Sequence, residues 1–228
     1  MKKGCALPKE LAPTESGMGL NTAAHKRAIR AGYYAMIAEY DDMVGAYIQA
    51  LDDGGWSLDT DTVMVCSSDH GDMQMEHQQF YKMVAYEASS RVPLIIAGPG
   101  ISKNIEVLTL HSLVDLLPTF LDLAGAAVPE GHSVDGQSLV PLLVHGDAAA
   151  GGYKDSVISQ FHGENLVMSW YMIRKDLADG SQMKYVVWGT GEEHPPQLFN
   201  LTVCDALVVM MMYMLSFRSP FFPASIYT

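Results

Sequence analysis

The sequence predicts an α/β fold with a mostly parallel sheet flanked by helices, followed by a small antiparallel β subdomain. Three observations lead to this prediction. A long run with helical spacing precedes two short apolar runs, a second helical segment follows them, and the runs after residue 150 alternate as β-strands do. The order helix, strand, loop, strand, helix is typical of an α/β layer.

The first helical segment begins after Thr22, where apolar residues start to recur at spacings of three and four. The DDGG sequence that follows the run is a helix stop signal. We therefore predict one long amphipathic helix. Its apolar positions are Tyr33, Met36, Ile37, Tyr40, Val44, Tyr47, Ile48 and Leu51.

The two apolar runs, DTVMVCSS and RVPLIIAGPG, are each predicted to be a buried strand. The Gly-Pro-Gly sequence at 98–100 closes the second strand with a turn. The segment HSLVDLLPTFLDLAG is the next predicted helix. Asp115 would be its N-cap, Pro118 would lie in its first turn, and Gly125 would end it.

After residue 150 the pattern changes to the runs SVISQFHG, LVMSWYMIR and MKYVVWG, separated by Gly and polar turns. These runs predict a small antiparallel sheet, and the Gly/Ala-rich HGDAAAGGY marks its boundary with the main α/β part. The predicted organisation is a lead-in segment at 1–21, an α/β part at 22–148, a β subdomain at 149–202 and an apolar tail at 203–228.

Composition limits the possible partners. The net charge of −12, from 14 Lys and Arg against 26 Asp and Glu, disfavours nucleic acid and anionic membranes. The 3 cysteines are odd in number and widely spaced, so they predict no disulfide framework. The start of the chain lacks the apolar core of a signal peptide, and the longest apolar run, Leu207 to Leu215, is too short to span a bilayer.

The stretch CSSDHGDMQMEHQQFYK contains the strongest site candidates. Asp69 and His70 follow a predicted buried strand, where ligands gather in α/β sheets. A neighbouring carboxylate and imidazole can share one metal ion, and Lys82 can pair with an anionic substrate. An ordinary turn with a capping Asp and a hydrogen-bonded His is the alternative, and residue types alone leave both open.

Two further features predict structure rather than chemistry. Glu87 and Arg91, four residues apart, predict a structural ion pair. Met73, Met75 and Met83 are predicted to fill the core.

The stretch SSDHGDMQMEHQQFYKMVAYEASSRVPLIIAGPGI resembles the sulfatase family, which has Asp-His-Gly or Asp-Asn-Gly, a Lys, a Glu, Val-Pro-Leu-Ile and a Gly-Pro-Gly turn in this order. SLVDLLPTFLDLAG and VDGQSLVPLL continue that order, and AIRAGYYAMIAEYDDMVG resembles the preceding helix of the family. SQFHGENLVMSWYMIRKDLADGSQMKYVVW and PPQLFNL resemble its C-terminal subdomain. The resemblance covers residues 24 to 202.

The resemblance implies an alkaline phosphatase-like fold and hydrolysis of sulfate esters of an aryl or glycosaminoglycan type. It implies one calcium ion and a formylglycine nucleophile made from the Cys of Cys-x-Pro/Ala-Ser-Arg. By motif match, Asp69 is a calcium ligand and His70 contacts the metal or the sulfate. Lys82 binds the sulfate and steadies charge on the leaving oxygen, and His162 is a weaker candidate for the substrate pocket.

The resemblance also implies a sulfated small molecule or glycan as substrate and a lysosomal or secreted location. Asn200 begins an Asn-Leu-Thr sequon, which is a possible N-glycosylation site if the chain enters the secretory pathway.

The sequence departs from the family pattern at the nucleophile. The cysteines lie in CALPK, CSSDH and CDALV, so none is in the formylglycine motif, and the early acidic pair has no counterpart. Asp69 and His70 are too few for calcium, which takes six to eight oxygen ligands. We expect a partial family chain that lacks the nucleophile region, binds calcium weakly and hydrolyses sulfate esters negligibly. Residues 203–228 are expected to be a tail without a counterpart in the family.

Two alternative functions stay open. Asp-His-Gly also suits a metal-dependent phosphoesterase of the same superfamily, with zinc and a Ser or Thr nucleophile. The other alternative is a catalytically inactive truncated product or an interaction protein. Measuring whether the purified chain contains zinc or calcium distinguishes a phosphoesterase from a sulfatase. A cooperative unfolding transition argues against an unfolded product.

Overall fold

The computed structural model describes residues 22–202 with the exception of residue 193, so the lead-in 1–21 and the tail 203–228, including the apolar run at 207–215, lie outside the described residues. The described helices are α1 Ala23–Asp53, α2 Glu87–Ser90, α3 Leu116–Leu123 and α4 Val140–His145. The described strands are β1 Met64–Ser67, β2 Leu94–Ala97, β3 Ser156–Phe161, β4 Trp170–Asp176, β5 Gln182–Trp188 and β6 Gln197–Asn200.

Helix α1 confirms the long helix that the sequence predicts. Thr22 Oγ1 accepts the His25 N–H at 3.2 Å and caps its first turn. None of its side chains is buried by the part of the chain that the structure describes, and Tyr47 is 64% exposed. Its long-range hydrogen bonds include one from Arg30 Nε to the Gln74 carbonyl at 3.1 Å, and Tyr40 Oη lies 3.1 Å from Cys66 Sγ.

Strands β1 and β2 form a two-stranded antiparallel sheet in which Met64 lies opposite Ala97 and Ser67 opposite Leu94. The strands lie where the sequence predicts, but this pair is antiparallel within a fold predicted to be mostly parallel, and β2 is not a buried strand, because Ile95 is 63% exposed. A parallel connection needs a crossover, usually a full helix. The chain between these strands contains only one 3-10 turn and the four-residue helix α2, so it folds back instead of crossing over.

Helix α3 confirms the predicted helix and its C-terminal end. Gly125 has φ +63°, and the N–H groups of residues 125 and 126 return to the carbonyls of residues 122 and 121. Asp115 is not the side-chain cap of α3. Its buried carboxylate instead accepts the N–H groups of Ser112 and Gln137 at 2.8 Å each and pairs with Lys154 at 2.9 Å. A buried carboxylate needs several donors. The three donors here come from the segment before α3, the segment between α3 and α4, and the segment after α4.

Strands β3 to β6 form one antiparallel sheet in chain order, which confirms the predicted C-terminal β subdomain. Its hydrophobic core cluster contains Trp170, Met172, Val186 and Phe199, and Ala85 from the loop before α2 joins them. The subdomain therefore shares its core with the segment that follows Lys82.

Two side-chain predictions are wrong. Glu87 pairs with Lys184 at 2.9 Å and with Arg174 at 3.4 Å, both from the C-terminal sheet, whereas Arg91 is bonded to Glu87 through its backbone N–H. Met83 is 53% exposed, although Met73 and Met75 are buried as predicted.

None of the described helices has both the length and the apolar character that crossing a bilayer requires.

Candidate anion- and metal-binding site

The structure brings together the three residues that the sequence selects. Lys82 Nζ lies 2.6 Å from His70 Nε2, and His70 Nε2 lies 3.3 Å from Asp69 Oδ2. Asp69 and His70 follow the end of β1, and Lys82 lies at the end of the loop that returns towards α2. The site thus forms where two loops meet beyond the end of β1.

The hydrogen bonds of His70 select one tautomer. His70 Nδ1 lies 3.0 Å from the Gly71 carbonyl oxygen, which can only accept, so the proton belongs on Nδ1. Nε2 then carries a lone pair, which accepts a hydrogen bond from the Lys82 ammonium. The same lone pair lies 3.3 Å from Asp69 Oδ2, so two electron-donating atoms lie close together beside the Lys82 ammonium.

Asp69 is the exposed member of the site, with 82% of its side chain accessible. Partial desolvation raises the pKa of its carboxyl, but the His70 backbone N–H and the Lys82 ammonium are among the groups that lower the pKa more, and the net pKa is below its ordinary value. Its Oδ1 accepts the His70 N–H at 2.9 Å. Asp69 therefore presents an ionised, solvent-exposed carboxylate at neutral pH.

The loop that carries Lys82 has an unusual backbone. Five of its non-glycine residues have positive φ, a conformation that L-residues adopt at an energetic cost: Gln74, Met75, His77, Tyr81 and Met83. Buried methionine side chains anchor the start of the loop, and Met73 N–H donates to the Tyr81 carbonyl at 2.7 Å. Lys82 therefore lies between two left-handed residues, and contacts elsewhere in the fold must stabilise this geometry.

Gly71 holds the loop that carries His70 against helix α2. Its N–H donates to the Ser89 carbonyl at 2.8 Å, and a Cβ at this position would overlap the Ala88 carbonyl oxygen. Only glycine allows this approach. The His70 loop therefore rests directly against the backbone of α2.

The described residues do not form a complete metal site. Within residues 22–202 apart from 193, no group of three or more His, Cys, Asp and Glu side chains converges as a metal site would require. Asp69 and His70 contribute one oxygen and one nitrogen, against the six to eight oxygens that calcium takes. These two donors do not make a calcium site by themselves.

A cleft of about 1680 Å³ runs along β2 and reaches Asp69. Glu87, Arg174 and His111 also line it. His162 is not among its described lining residues; it lies after β3 with its ring edge-on to Tyr171, at 5.8 Å between centroids. The role suggested for His162 stays a prediction.

The predicted sequon residue Asn200 ends β6, where its Oδ1 accepts the Thr202 N–H at 3.1 Å. Its glycosylation stays a prediction. The sequence pattern does not single out three residues whose side chains join the C-terminal sheet to the segment after Lys82: Trp170, Lys184 and Arg174. In the sequence they carry only the alternation of a β-strand, which does not reveal their partners.

Comparisons with known proteins match both parts of the chain. A family model described as Sulfatase matches residues 5–126, and one described as N-sulphoglucosamine sulphohydrolase, C-terminal, matches residues 75–179. Arylsulfatase K of Gallus gallus is 45% identical over 83% of this chain and 34% of that protein. The chain thus spans about a third of the length of the curated relatives it matches.

Two solved structures share the fold. One is a protein in complex with its substrate D-glucosamine-2-N,6-O-disulfate, at 25% identity and a TM-score of 0.63 over 75% of this chain and 33% of that one. The other is a phosphonate monoester hydrolase of Agrobacterium radiobacter, at 31% identity and a TM-score of 0.65 over 79% of this chain and 36% of that one.

Proposed function

Since this chain belongs to the sulfatase family and has its alkaline phosphatase-like fold, we propose that Asp69, His70 and Lys82 are the metal- and sulfate-binding part of a sulfuric ester hydrolase. The observation that carries this proposal is the convergence of the three side chains, with Nζ to Nε2 at 2.6 Å and Nε2 to Oδ2 at 3.3 Å. Their roles are those that the motif match assigns.

Lys82 has the chemistry to bind a sulfate ester. Its ammonium carries three N–H donors, of which one points to His70 Nε2. The other two are free to approach the sulfate oxygens, and the positive charge stabilises the negative charge that develops on the leaving oxygen. Solvent exposure of Lys82 leaves room for such a ligand.

A calcium ion would lie against Asp69, with His70 beside the metal or the sulfate. It would polarise the sulfate group, which is the chemistry that such an ion supplies. The remaining ligands and the formylglycine nucleophile have no counterpart among the motifs of this sequence, so we expect this chain by itself to bind calcium weakly and to hydrolyse aryl sulfates negligibly.

The proposed substrate is a sulfated small molecule or a sulfated glycan. The structural relative solved with a disulfated glucosamine supports a sugar sulfate among the candidates. A lysosomal or secreted location accompanies this proposal, and Asn200 would then be available for N-glycosylation.

The proposal is tested by titrating the full chain with inorganic sulfate, with and without Ca²⁺, while following the His70 ring by ¹⁵N NMR. We expect a saturable change that disappears in Lys82→Met. Lys175→Met is the matched control, because Lys175 of β4 pairs with Asp155 at 2.7 Å and is not among the described residues that line the cleft. If the His70 signals of the wild-type chain do not change when sulfate is added, the proposal is contradicted.

The likeness to a phosphonate monoester hydrolase favours a second candidate, a metal-dependent phosphoesterase. Its substrate also presents a tetrahedral anion to a cationic side chain. Competition between inorganic sulfate and methylphosphonate at the His70 signals, together with the zinc and calcium content of the purified chain, distinguishes the two. Tighter binding of methylphosphonate with bound zinc would favour the phosphoesterase.

A further inference from the structure

Trp170 holds the backbone next to Lys82 from the C-terminal sheet. Its side chain is 4% exposed, and its indole N–H donates to the Met83 carbonyl at 2.9 Å. Met83 has φ +78° and Tyr81 has φ +63°, so Lys82 is flanked by two residues in the left-handed region. The Trp170 hydrogen bond fixes this otherwise unfavourable backbone in the conformation that directs Lys82 to His70.

A second connection reaches His70. Gly71 N–H is bonded to Ser89 of α2, and Glu87 of the same helix is paired with Lys184 Nζ at 2.9 Å. Arg174 Nη1 lies 3.4 Å from the other Glu87 oxygen. Lys184 is 1% exposed, so this ion pair is shielded from water and holds α2 firmly against the sheet.

We propose that the β3–β6 sheet positions the His70–Lys82 pair, with Trp170 and the Glu87–Lys184 pair as positioning residues. The inference rests on the proposed anion-binding role of His70 and Lys82. Trp170 acts through the Met83 carbonyl, and Glu87 acts through α2 and Gly71. The sheet thereby keeps His70 and Lys82 at a fixed distance. It acts on Lys82 through Trp170 and on His70 through Glu87.

Trp170→Phe tests the first connection, and Trp188→Phe is its matched control. The two tryptophans lie opposite each other on β4 and β5, so both substitutions remove one indole from the same sheet. The Trp188 N–H points instead to Gln197 Oε1, at 3.5 Å. Sulfate affinity and the tautomer ratio of the His70 ring are measured in the full chain, together with the thermal midpoint.

We expect Trp170→Phe to weaken inorganic sulfate binding by about three- to tenfold, the effect of one lost hydrogen bond, and to change the His70 tautomer ratio. Trp188→Phe should change sulfate affinity by less than about twofold even if its thermal midpoint falls equally. Equal effects of the two substitutions on affinity and on the tautomer ratio would overturn the inference.

If the wild-type chain binds no sulfate, the proposed function fails, and the tautomer ratio without ligand still tests the positioning. If Trp170→Phe does not fold, the double variant Glu87→Gln with Lys184→Met tests the second connection. It removes both charges together and leaves neither one buried alone. Unchanged His70 tautomers and sulfate affinity in that variant would overturn the inference.

Discussion

Lys184 Nζ lies 2.9 Å from Glu87 Oε1 and 4.6 Å from the centre of the Phe199 ring, with its side chain almost fully removed from water. A buried ammonium is unfavourable unless it is paired. Glu87 precedes Lys184 by 97 residues, so this pair joins α2 to β5 across the chain.

The Glu87–Lys184 pair predicts a strongly non-additive response. Glu87→Gln should lower the free energy of unfolding by about 3–5 kcal/mol, because it leaves the Lys184 charge buried without its partner. Adding Lys184→Met should recover part of that loss, since the buried Lys184 charge is then removed and only the less buried Arg174 charge lacks its carboxylate partner. Urea unfolding of the two single variants and the double variant at pH 7 measures the coupling. Additive losses would contradict a coupled buried pair.

Asp115 predicts an acid-dependent loss of stability. Burial raises the pKa of its carboxyl, but hydrogen bonds from the Gln137 N–H, Lys154 and the Ser112 N–H lower the pKa more, and the net pKa is below its ordinary value. Its stabilising contribution is therefore complete above the unfolded pKa of about 3.9 and is lost as the pH falls through the lower folded pKa.

Asp115→Asn should therefore cost about 2–3 kcal/mol at pH 7 and should flatten the fall in stability below about pH 4. Asp155→Asn is the control, because Asp155 pairs with Lys175 at 2.7 Å while 65% exposed. That exposed pair should contribute little. Free energies of unfolding at a series of pH values test this, and parallel pH profiles for wild type and Asp115→Asn would refute it.

Gly71 predicts a steric effect next to the site. Gly71→Ala should destabilise the chain by about 3 kcal/mol, because the new Cβ would overlap the backbone carbonyl of Ala88. Gly45→Ala in α1 is the control: nothing lies within 4 Å of its Cβ position, and alanine favours the helix. Thermal unfolding compares the two, and a Gly71→Ala chain as stable as wild type would show that α2 and the His70 loop separate easily.

Local patterns in the sequence predict the helices, the strands and the residues of the candidate site. They do not predict contacts between segments that are distant in the sequence. The helical spacing in 33–51 and the Asp-His-Gly and Lys motif need only near neighbours. The Trp170 hydrogen bond joins residues 87 positions apart, and a β-strand pattern gives no partner for it. The antiparallel pairing of β1 and β2 likewise depends on the course of the connecting chain, which apolar runs do not encode.

The contact between His70 and Lys82 predicts a defined ring tautomer. With Nδ1 bonded to the Gly71 carbonyl and Nε2 accepting from Lys82, the neutral ring should carry its proton on Nδ1. Lys82→Met removes the donor, and Nε2 can then take the proton and donate to Asp69 Oδ2, which lies 3.3 Å away. Long-range ¹H–¹⁵N spectra at a pH where the ring is neutral should show a larger fraction of the Nε2-protonated ring in Lys82→Met than in wild type, and an unchanged fraction in Lys175→Met. A wild-type ring already protonated on Nε2 would mean that Lys82 does not donate to His70, and the convergence that supports anion binding would lose its basis.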